Sequence, residues 1–359
     1  MVRRRRLGSR CFGPAFTLAA LAQAACGGDA STSDTSTDTR TADDGVDGVD
    51  GVDVAEVTDT KDETDTAQRD GDDAGPDAVT LAYAPCSTDV RVGVFKVLLA
   101  EGYTAVEGRV ATGVVPSAVR EETDREAGCR LLEGRTLFCD PTCASGKTCD
   151  VGGQCIDYPT AKSVGQVTVN GLTVALAMTP TSTGSYTNGA TSIPHPGFGD
   201  GDVVSLAAPG DVLPGFALEG RGVAPLVVTQ AEASLVRGQA LGIDWTPGVN
   251  ASARVRFVLD LAHHGGIAAS VECEGVDDDG HFEIPARLVD ALIDIGVAGF
   301  PTLTLTRRTA DSATITPGCV ELSVEHEVVV PVVVPGVTSC VSDEECPDGQ
   351  TCQFDLTCG

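Results

Sequence analysis

Hydrophobic and polar residues alternate in several short runs, the pattern of β-strands with one buried face. Val90, Val92 and Val94 alternate, and the phase then slips to Phe95 and Val97, which predicts a bulge or a strand buried on both faces. Turn residues separate these runs. Together they predict an all-β chain, with further strands within residues 105–110, 167–176, 203–218, 241–245, 255–261, 303–305 and 320–324.

One segment departs from the alternation. Leu288, Leu292 and Ile295 recur at helical spacing, so residues 286–295 are predicted to form a short helix crossing one end of a sandwich. Trp245 is the single tryptophan of the chain and shares a strand face with hydrophobic neighbours. We expect it to anchor a core.

Two polar stretches are predicted to lie at the surface. The charged run at residues 119–127 predicts a surface turn or short helix. The run from Thr179 to Pro196 is typical of a long exposed loop. Loops of this kind often carry binding residues, so a ligand of this region would be expected there.

Cysteines are concentrated in two short repeats with the frame Cys-x-x-Gly-x-Thr-Cys-x5-Cys. Each repeat is too short to bury an apolar core, so covalent bridges are expected to hold it as a small disulfide knob. Each knob has four cysteines that can pair locally, and spacing leaves their pairing open. They are Cys139, Cys143, Cys149 and Cys155 in the first knob and Cys340, Cys346, Cys352 and Cys358 in the second.

Four cysteines outside the knobs and the N-terminal segment remain. Pairing by segment predicts a Cys86–Cys129 bridge closing the first β segment, and a Cys273–Cys319 bridge tying two strands of the last sandwich. A metal site would instead require free thiolates.

The N-terminus has the organisation of an export signal. Basic residues Arg3 to Arg6 precede a short apolar run, which predicts a signal peptide at residues 1–25. The sequence Leu21-Ala22-Gln23-Ala24-Ala25-Cys26 resembles the lipobox of bacterial lipoproteins, and the resemblance implies that Cys26 carries a lipid. Ala22-Gln23-Ala24 also fits an ordinary cleavage site, so plain secretion is the alternative.

Charge is distributed unevenly along the chain, whose formal net charge is -28. Residues 27–78 contain 17 acids. With few apolar residues, the segment 26–79 is predicted to be a disordered, self-repelling spacer. Such acidity argues against nucleic-acid binding and leaves a lipid anchor as the expected contact with a membrane.

These features divide the chain into predicted units. The run Leu241-Gly-Ile-Asp-Trp245-Thr-Pro resembles the second strand of fibronectin type III and immunoglobulin-like domains, which implies a β-sandwich around it. The predicted units are a signal peptide at 1–25, a linker at 26–79, a small β segment at 80–135, a disulfide knob at 136–159, a β domain at 160–225, an immunoglobulin-like sandwich at 226–337 and a C-terminal disulfide knob at 338–359.

The whole layout combines a basic signal, Cys26-Gly-Gly-Asp, an acidic spacer, β domains and disulfide knobs. It resembles the large uncharacterised lipoproteins of myxobacteria. That resemblance implies an outer-membrane or cell-surface location and carries no activity with it.

Three short motifs resemble known functional sites, but the residues around them do not fit those sites. Gly146-Lys147-Thr148 lacks the upstream glycine of a phosphate-binding loop. His326-Glu327 lacks the second histidine of a zinc-protease helix. His263 and His264 could join Cys273 at a metal, but adjacent residues on a strand point to opposite faces, which favours a loop at a strand end.

One acidic cluster has the residue types of a calcium loop. Asp277, Asp278 and Asp279 precede Gly280, and Glu283 follows. These carboxylates are calcium candidates, but they lack the alternating spacing of a calcium loop. We therefore favour a plain Asp-Gly hairpin turn.

The sequence thus predicts an exported, lipid-anchored surface protein with a binding or structural role and an unidentified protein or glycan partner. It predicts neither catalytic residues nor a cofactor. Two alternatives stay open. One is a calcium- or glycan-binding module, and the other is a secreted hydrolase whose site is assembled from residues far apart in sequence.

Overall fold

The computed structural model describes residues 81–263 and 268–359, which belong to one compact unit. The predicted signal peptide, the acidic spacer, Cys26 and His264 lie outside the described residues. No helix within these described ranges is long and apolar enough to cross a membrane.

The described chain is rich in β-structure, as predicted. Short 3-10 turns occur at Pro116–Ala118 and Asp343–Glu345. The regular elements are β1 (Arg91–Ala100), β2 (Tyr103–Val110), β3 (Glu121–Glu126), β4 (Cys129–Glu133), β5 (Lys147–Cys149), β6 (Cys155–Asp157), β7 (Val167–Asn170), β8 (Leu176–Met178), β9 (Ser185–Thr187), β10 (Val203–Gly210), β11 (Pro214–Arg221), β12 (Ala233–Ser234), β13 (Leu241–Asp244), β14 (Arg254–Asp260), β15 (Ala269–Asp277), β16 (His281–Ile284), α1 (Ala286–Ile295), β17 (Thr302–Thr314) and β18 (Cys319–Val333).

A large sheet organises the fold. Its strand order is β3-β4-β15-β14-β17-β18-β1-β2-β9, and β12 also pairs with β18. β1 pairs with β18 in parallel, so strands from the predicted units 80–135 and 226–337 belong to one sheet. These two units are therefore not separate bodies.

One face of the large sheet, called here the core face, is covered by two layers. A four-stranded sheet of order β11-β10-β7-β8 covers one half and encloses the first core. The β13–β16 pair and α1 cover the other half and enclose the second core. The long β17–β18 hairpin contributes to both cores.

Alternation along β18 explains how one strand serves both layers. Val320, Leu322 and Val324 lie in the first core. Val330 and Val332 lie on the same face further along the strand, in the second core. The residues that alternate with them, Glu321, Ser323 and Glu325 among them, point to the opposite face, called here the charged face.

Several sequence predictions are confirmed. A bulge in β1 is present, but it lies earlier than predicted, as a register shift between Arg91 and Gly93 against β18 and not at Val94–Phe95. The helix α1 has the predicted bounds. Trp245 is buried in the second core, where its ring lies 5.5 Å from that of Phe257.

The stretch 179–196 is not simply an exposed loop. It contains β9, which pairs with β2 at the sheet edge. Tyr186 on β9 is fully buried, its ring lies 5.6 Å from that of Phe95, and its hydroxyl donates to the Gly165 carbonyl. The prediction failed because one aromatic residue in a polar run can anchor an entire short strand in a core. Gly108 leaves room for Phe95, since a Cβ there would lie 2.1 Å from its ring.

The prediction for the charged run at 119–127 is also wrong, because the run contains the edge strand β3. Pairing with β4 satisfies the backbone groups on one side of β3, while most of its side chains remain in solvent. Asp124 and Glu126 form ion pairs with Arg287 of α1. Charges on an edge strand discourage pairing with another chain, so the composition suits the position.

The two long-range disulfides differ from the predicted ones. Cys86 is bonded to Cys319, and Cys129 is bonded to Cys273. Pairing by sequence proximity was wrong because the sheet order sets the neighbours. Cys129 and Cys273 lie opposite each other where β4 pairs with β15, with Cα atoms 4.0 Å apart.

Each knob pairs its four cysteines locally, as predicted. Two interleaved bridges hold each of them, in the order first to third and second to fourth. The bonds are Cys139–Cys149 and Cys143–Cys155 in the first knob and Cys340–Cys352 and Cys346–Cys358 in the second. Disulfides of this number indicate an oxidising compartment.

The immunoglobulin-like sandwich predicted for residues 226–337 is not confirmed. Four of its long strands, β14, β15, β17 and β18, lie within the large sheet, which also takes in β1 and β4. The β13–β16 pair and α1 pack across them. The segment is one half of a larger layered structure.

Candidate functional site

A cavity of about 400 Å³ opens on the charged face of the large sheet. Its floor is formed by β1, β14, β17 and β18, and its rim by residues 111–118 with Tyr158 and Pro159. We call it the charged pocket. The charged residues that line it are Arg91, Lys96, Arg109, Arg256, Arg308, Glu321, Glu325 and Glu327.

The charged floor follows from the strand period. Because Val320, Leu322 and Val324 face the core, Glu321 and Glu325 must face the other way. Glu321 is 0% exposed and Glu325 is 3% exposed. Such burial of carboxylates is costly unless each is paired and hydrogen-bonded.

The covering segment lies at residues 81–86, before β1. Leu81 donates its backbone N–H to the Ser252 hydroxyl, and Ala84 donates to the Ala310 carbonyl. The Cys86 backbone N–H donates to Glu321 Oε2 over 2.8 Å. These contacts hold the segment across the charged face as a strap.

Arg308 is the centre of the buried charge network. Its Nη1 donates to Glu321 Oε1 over 2.8 Å, and its Nη2 donates to Glu274 Oε1 over 3.0 Å. Its Nε donates to the Tyr83 hydroxyl over 2.8 Å, and that hydroxyl donates to Glu274. The guanidinium therefore joins two carboxylates and the strap.

These contacts shift the pKa values of the groups involved. Burial raises the pKa of the Tyr83 phenol well above its usual range, so Tyr83 stays a neutral donor. Burial alone would lower the pKa of Arg308, but Glu274, Tyr83 and Glu321 more than offset it and raise that pKa. Arg308 is a fixed positive charge.

A second group surrounds Glu325. Lys96 Nζ lies 2.9 Å from Glu325 Oε1, and the Ser323 hydroxyl donates to Glu325 Oε2 over 2.5 Å. Burial acts to raise the pKa of Glu325, yet Lys96 and Ser323 more than offset burial and hold that pKa below its usual range. The carboxylate stays charged with both oxygens engaged.

Arg256 closes the network at β14. It lies 2.9 Å from Glu272 Oε2 and 3.2 Å from Glu274 Oε2. Burial acts to raise the pKa of Glu272, but Arg256 overcomes this effect and lowers that pKa. Arg256 and Arg308 thus share Glu274 in one network, while Lys96 and Glu325 form a separate pair.

The groups at the mouth of the pocket are less engaged. Arg91 lies 3.8 Å from Glu321, beyond hydrogen-bond distance. Arg109 and Glu327 make no side-chain hydrogen bond or ion pair within the described residues. Tyr158 is 50% exposed beside the buried Pro159. The mouth therefore offers polar groups that a ligand could engage.

The calcium candidates do not converge. Asp277 pairs with Arg254 at 3.3 Å, and Asp279 accepts from the His281 backbone N–H. Glu283 lies 4.0 Å from His281 Nε2. The predicted Asp-Gly hairpin is not formed either, because β16 pairs with β13 in a different sheet and not with β15.

Asp278 has a structural role instead. Its Oδ2 lies 2.7 Å from Arg307 Nε, and its Oδ1 accepts from Trp245 Nε1 over 2.7 Å. Arg307 also donates to the Pro225 and Thr246 carbonyls. This buried pair lies on the core face and joins β17 to the segments around β13.

The remaining sequence candidates occupy structural positions. Lys147 on β5 pairs with Asp157 of the first knob. His326 accepts the Leu226 backbone N–H at Nδ1 over 3.1 Å, and burial together with Arg307 lowers its pKa. In the described ranges, clusters of three potential metal ligands occur only among knob cysteines, which are disulfide-bonded.

Sequence reasoning missed the charged pocket. Its signal was present in β18, where Glu321, Ser323 and Glu325 alternate with apolar residues over an unusually long strand. That pattern predicts a solvated face. Nothing local in the sequence shows that the strap and the rim cover it.

Comparison with known proteins adds no relative. Neither the family models, nor the curated proteins, nor the solved structures gave a match to this chain.

Proposed function

We propose that this chain is an exported, lipid-anchored surface protein that binds a small polar ligand in the charged pocket. The observation that carries the proposal is the cavity of about 400 Å³ whose floor holds the buried charges Arg308, Glu321 and Glu325, each with an oppositely charged partner. Its volume is in the range of pockets that hold small molecules.

The free-energy cost of burying charged side chains beneath the pocket supports a binding role. A fold gains little stability from buried ion pairs relative to apolar packing, since desolvation offsets their attraction. The first core of this protein shows that the same strands can be packed with valine and leucine. A charged floor under an open cavity is therefore better explained by recognition than by stability.

The second part of the proposal is that the protein is exported and anchored at a membrane. Six disulfides within the described chain indicate oxidising surroundings, which agrees with export. Lipidation at Cys26 would hold the protein at a membrane, and the acidic spacer would separate the folded unit from the lipid.

Ligand binding can be tested by thermal unfolding with a panel of neutral, cationic and anionic polar molecules. We expect at least one class to raise the melting temperature by a few degrees. The variant Ala118→Trp fills the mouth from the exposed rim and should abolish that shift. Val249→Trp, at an exposed position outside the pocket lining, is the matched control. A panel with no stabilising member would contradict the pocket's role.

Anchoring can be tested separately. We expect the Cys26→Ala variant to move from the detergent phase to the aqueous phase after export, because the acylated thiol is lost. Equal partitioning of the variant and the parent protein would establish plain secretion.

The hydrolase alternative has less support. Ser323 is the serine of the pocket floor, and its hydroxyl donates to Glu325. The residues that line the pocket include no histidine to act as a base for it. A binding function needs no such group.

A further inference from the structure

We infer that the ligand of the charged pocket is an acidic saccharide, whose carboxylate is held by Arg109 and Arg91 at the mouth. This inference rests on the proposed binding function and names its ligand class. It follows from which polar groups in the pocket are already engaged and which are free.

The carboxylates on the floor are already engaged by protein donors. Glu321 receives Arg308 on one oxygen and the Cys86 backbone N–H on the other. Glu325 receives Lys96 on one oxygen and Ser323 on the other. Both oxygens of each of these buried carboxylates therefore already have a partner within the protein.

At the mouth of the pocket, the hydrogen-bond donors outnumber the protein acceptors that engage them. Arg109 donates to no described side chain, and Arg91 approaches Glu321 only to 3.8 Å. Lys96 has one carboxylate partner and a side chain that is 39% exposed. Guanidinium and ammonium groups are donors without acceptor capacity. A ligand that satisfies them must supply acceptors, and a carboxylate does so with complementary charge.

The excess of donors is local. The chain carries a formal net charge of -28, and five basic residues and three acidic ones line this cavity. Two of the basic residues, Arg256 and Arg308, are paired with Glu272 and Glu274 outside the lining. Long-range repulsion from such a chain works against anions in general. The less engaged basic groups near the mouth, Arg91, Lys96 and Arg109, are therefore the ones suited to bind an anionic group.

Two further features favour a saccharide over a bare anion. Tyr158 and Pro159 form a partly apolar rim, and an aromatic ring offers a flat surface to the apolar face of a sugar ring. Glu327 is an acceptor without a described partner and suits a hydroxyl donor. Carboxylate, hydroxyls and an apolar ring face occur together in a uronic acid.

The test is calorimetric titration with digalacturonate and, as a matched uncharged ligand, its dimethyl ester. We expect digalacturonate to bind and the ester to bind about tenfold more weakly, because the charge-assisted hydrogen bonds are lost. Arg109→Gln should weaken digalacturonate binding by a similar factor. Arg237→Gln removes an exposed arginine outside the pocket lining and should leave binding unchanged.

The outcomes separate this inference from the proposed function. Equal affinity for the ester, or no effect of Arg109→Gln, would overturn the role of the carboxylate. Inorganic phosphate binding at the pocket without digalacturonate binding would overturn the saccharide. If neither binds but another panel member is blocked by Ala118→Trp, the inference fails and the binding function stands.

Discussion

The double variant Cys129→Ala/Cys273→Ala is expected to lose about 5 kcal/mol of unfolding free energy, as the chain-entropy model gives for a loop of this length. The bridge joins residues separated by 144 positions. Both cysteines are fully buried in the second core, so their replacement also leaves unfilled space. A loss of this size is comparable to the whole stability of many domains.

Denaturation by guanidinium chloride in oxidising buffer measures this loss. The matched control is Cys346→Ala/Cys358→Ala, which removes a bridge spanning 12 positions within the C-terminal knob. We expect the main unfolding transition of that control to stay close to the parent protein, because the bridge constrains a small local loop. Equal losses for both variants would contradict this expectation. Non-reduced peptides should also show Cys86 linked to Cys319.

Replacing Arg308 by methionine is expected to cost about 3–5 kcal/mol, the usual result of leaving a buried charge without its partner. The change keeps a long side chain but removes the donor to Glu321, whose side chain is 1% exposed. It also removes the donors to Glu274 and Tyr83, which weakens the hold on the strap.

A second substitution distinguishes a lost partner from lost packing. In Arg308→Met/Glu321→Leu, the stranded carboxylate is gone, so we expect the double variant to recover much of the loss. Arg237→Met breaks an exposed ion pair with Asp294 and should cost less than about 1 kcal/mol. If the double variant were as unstable as the single one, the loss would come from packing and not from the unpaired carboxylate. Urea denaturation provides all three values.

Local features of the fold were predictable from the sequence, because their causes are local. The α1 helix follows from the spacing of Leu288 and Leu292, and the knob bridges follow from cysteine proximity. The burial of Trp245 follows from the alternation around it. In each case the residues that decide the structure lie within a few positions of one another.

Long-range features were not predictable in the same way. The parallel pairing of β1 with β18 joins residues more than 200 positions apart, and no local pattern specifies it. The disulfide partners of Cys86 and Cys129 depend on that sheet order. Pairing by nearness in sequence therefore gave two plausible bridges and both were wrong.

The charged pocket could be predicted least. Glu321 and Glu325 have the spacing of exposed residues on a half-buried strand. Their partners Arg308 and Lys96 come from other strands of the sheet. Whether such a face is solvated or covered depends on the strap at residues 81–86, whose own sequence has no strand or helix pattern.

The strap and its bridge have a mechanical consequence. A pulling force applied to the chain ahead of Leu81 would run through the strap to Cys86 and cross the disulfide to Cys319. The force would then load β18, which is hydrogen-bonded to β17 on one side and to β1 on the other. The disulfide bypasses the backbone between the two cysteines, and β1 and β17, which lie within that stretch, oppose the load through their hydrogen bonds to β18. If the protein is held at a surface by its N-terminus, the strand that takes the load is β18, which is hydrogen-bonded to a neighbour on each side.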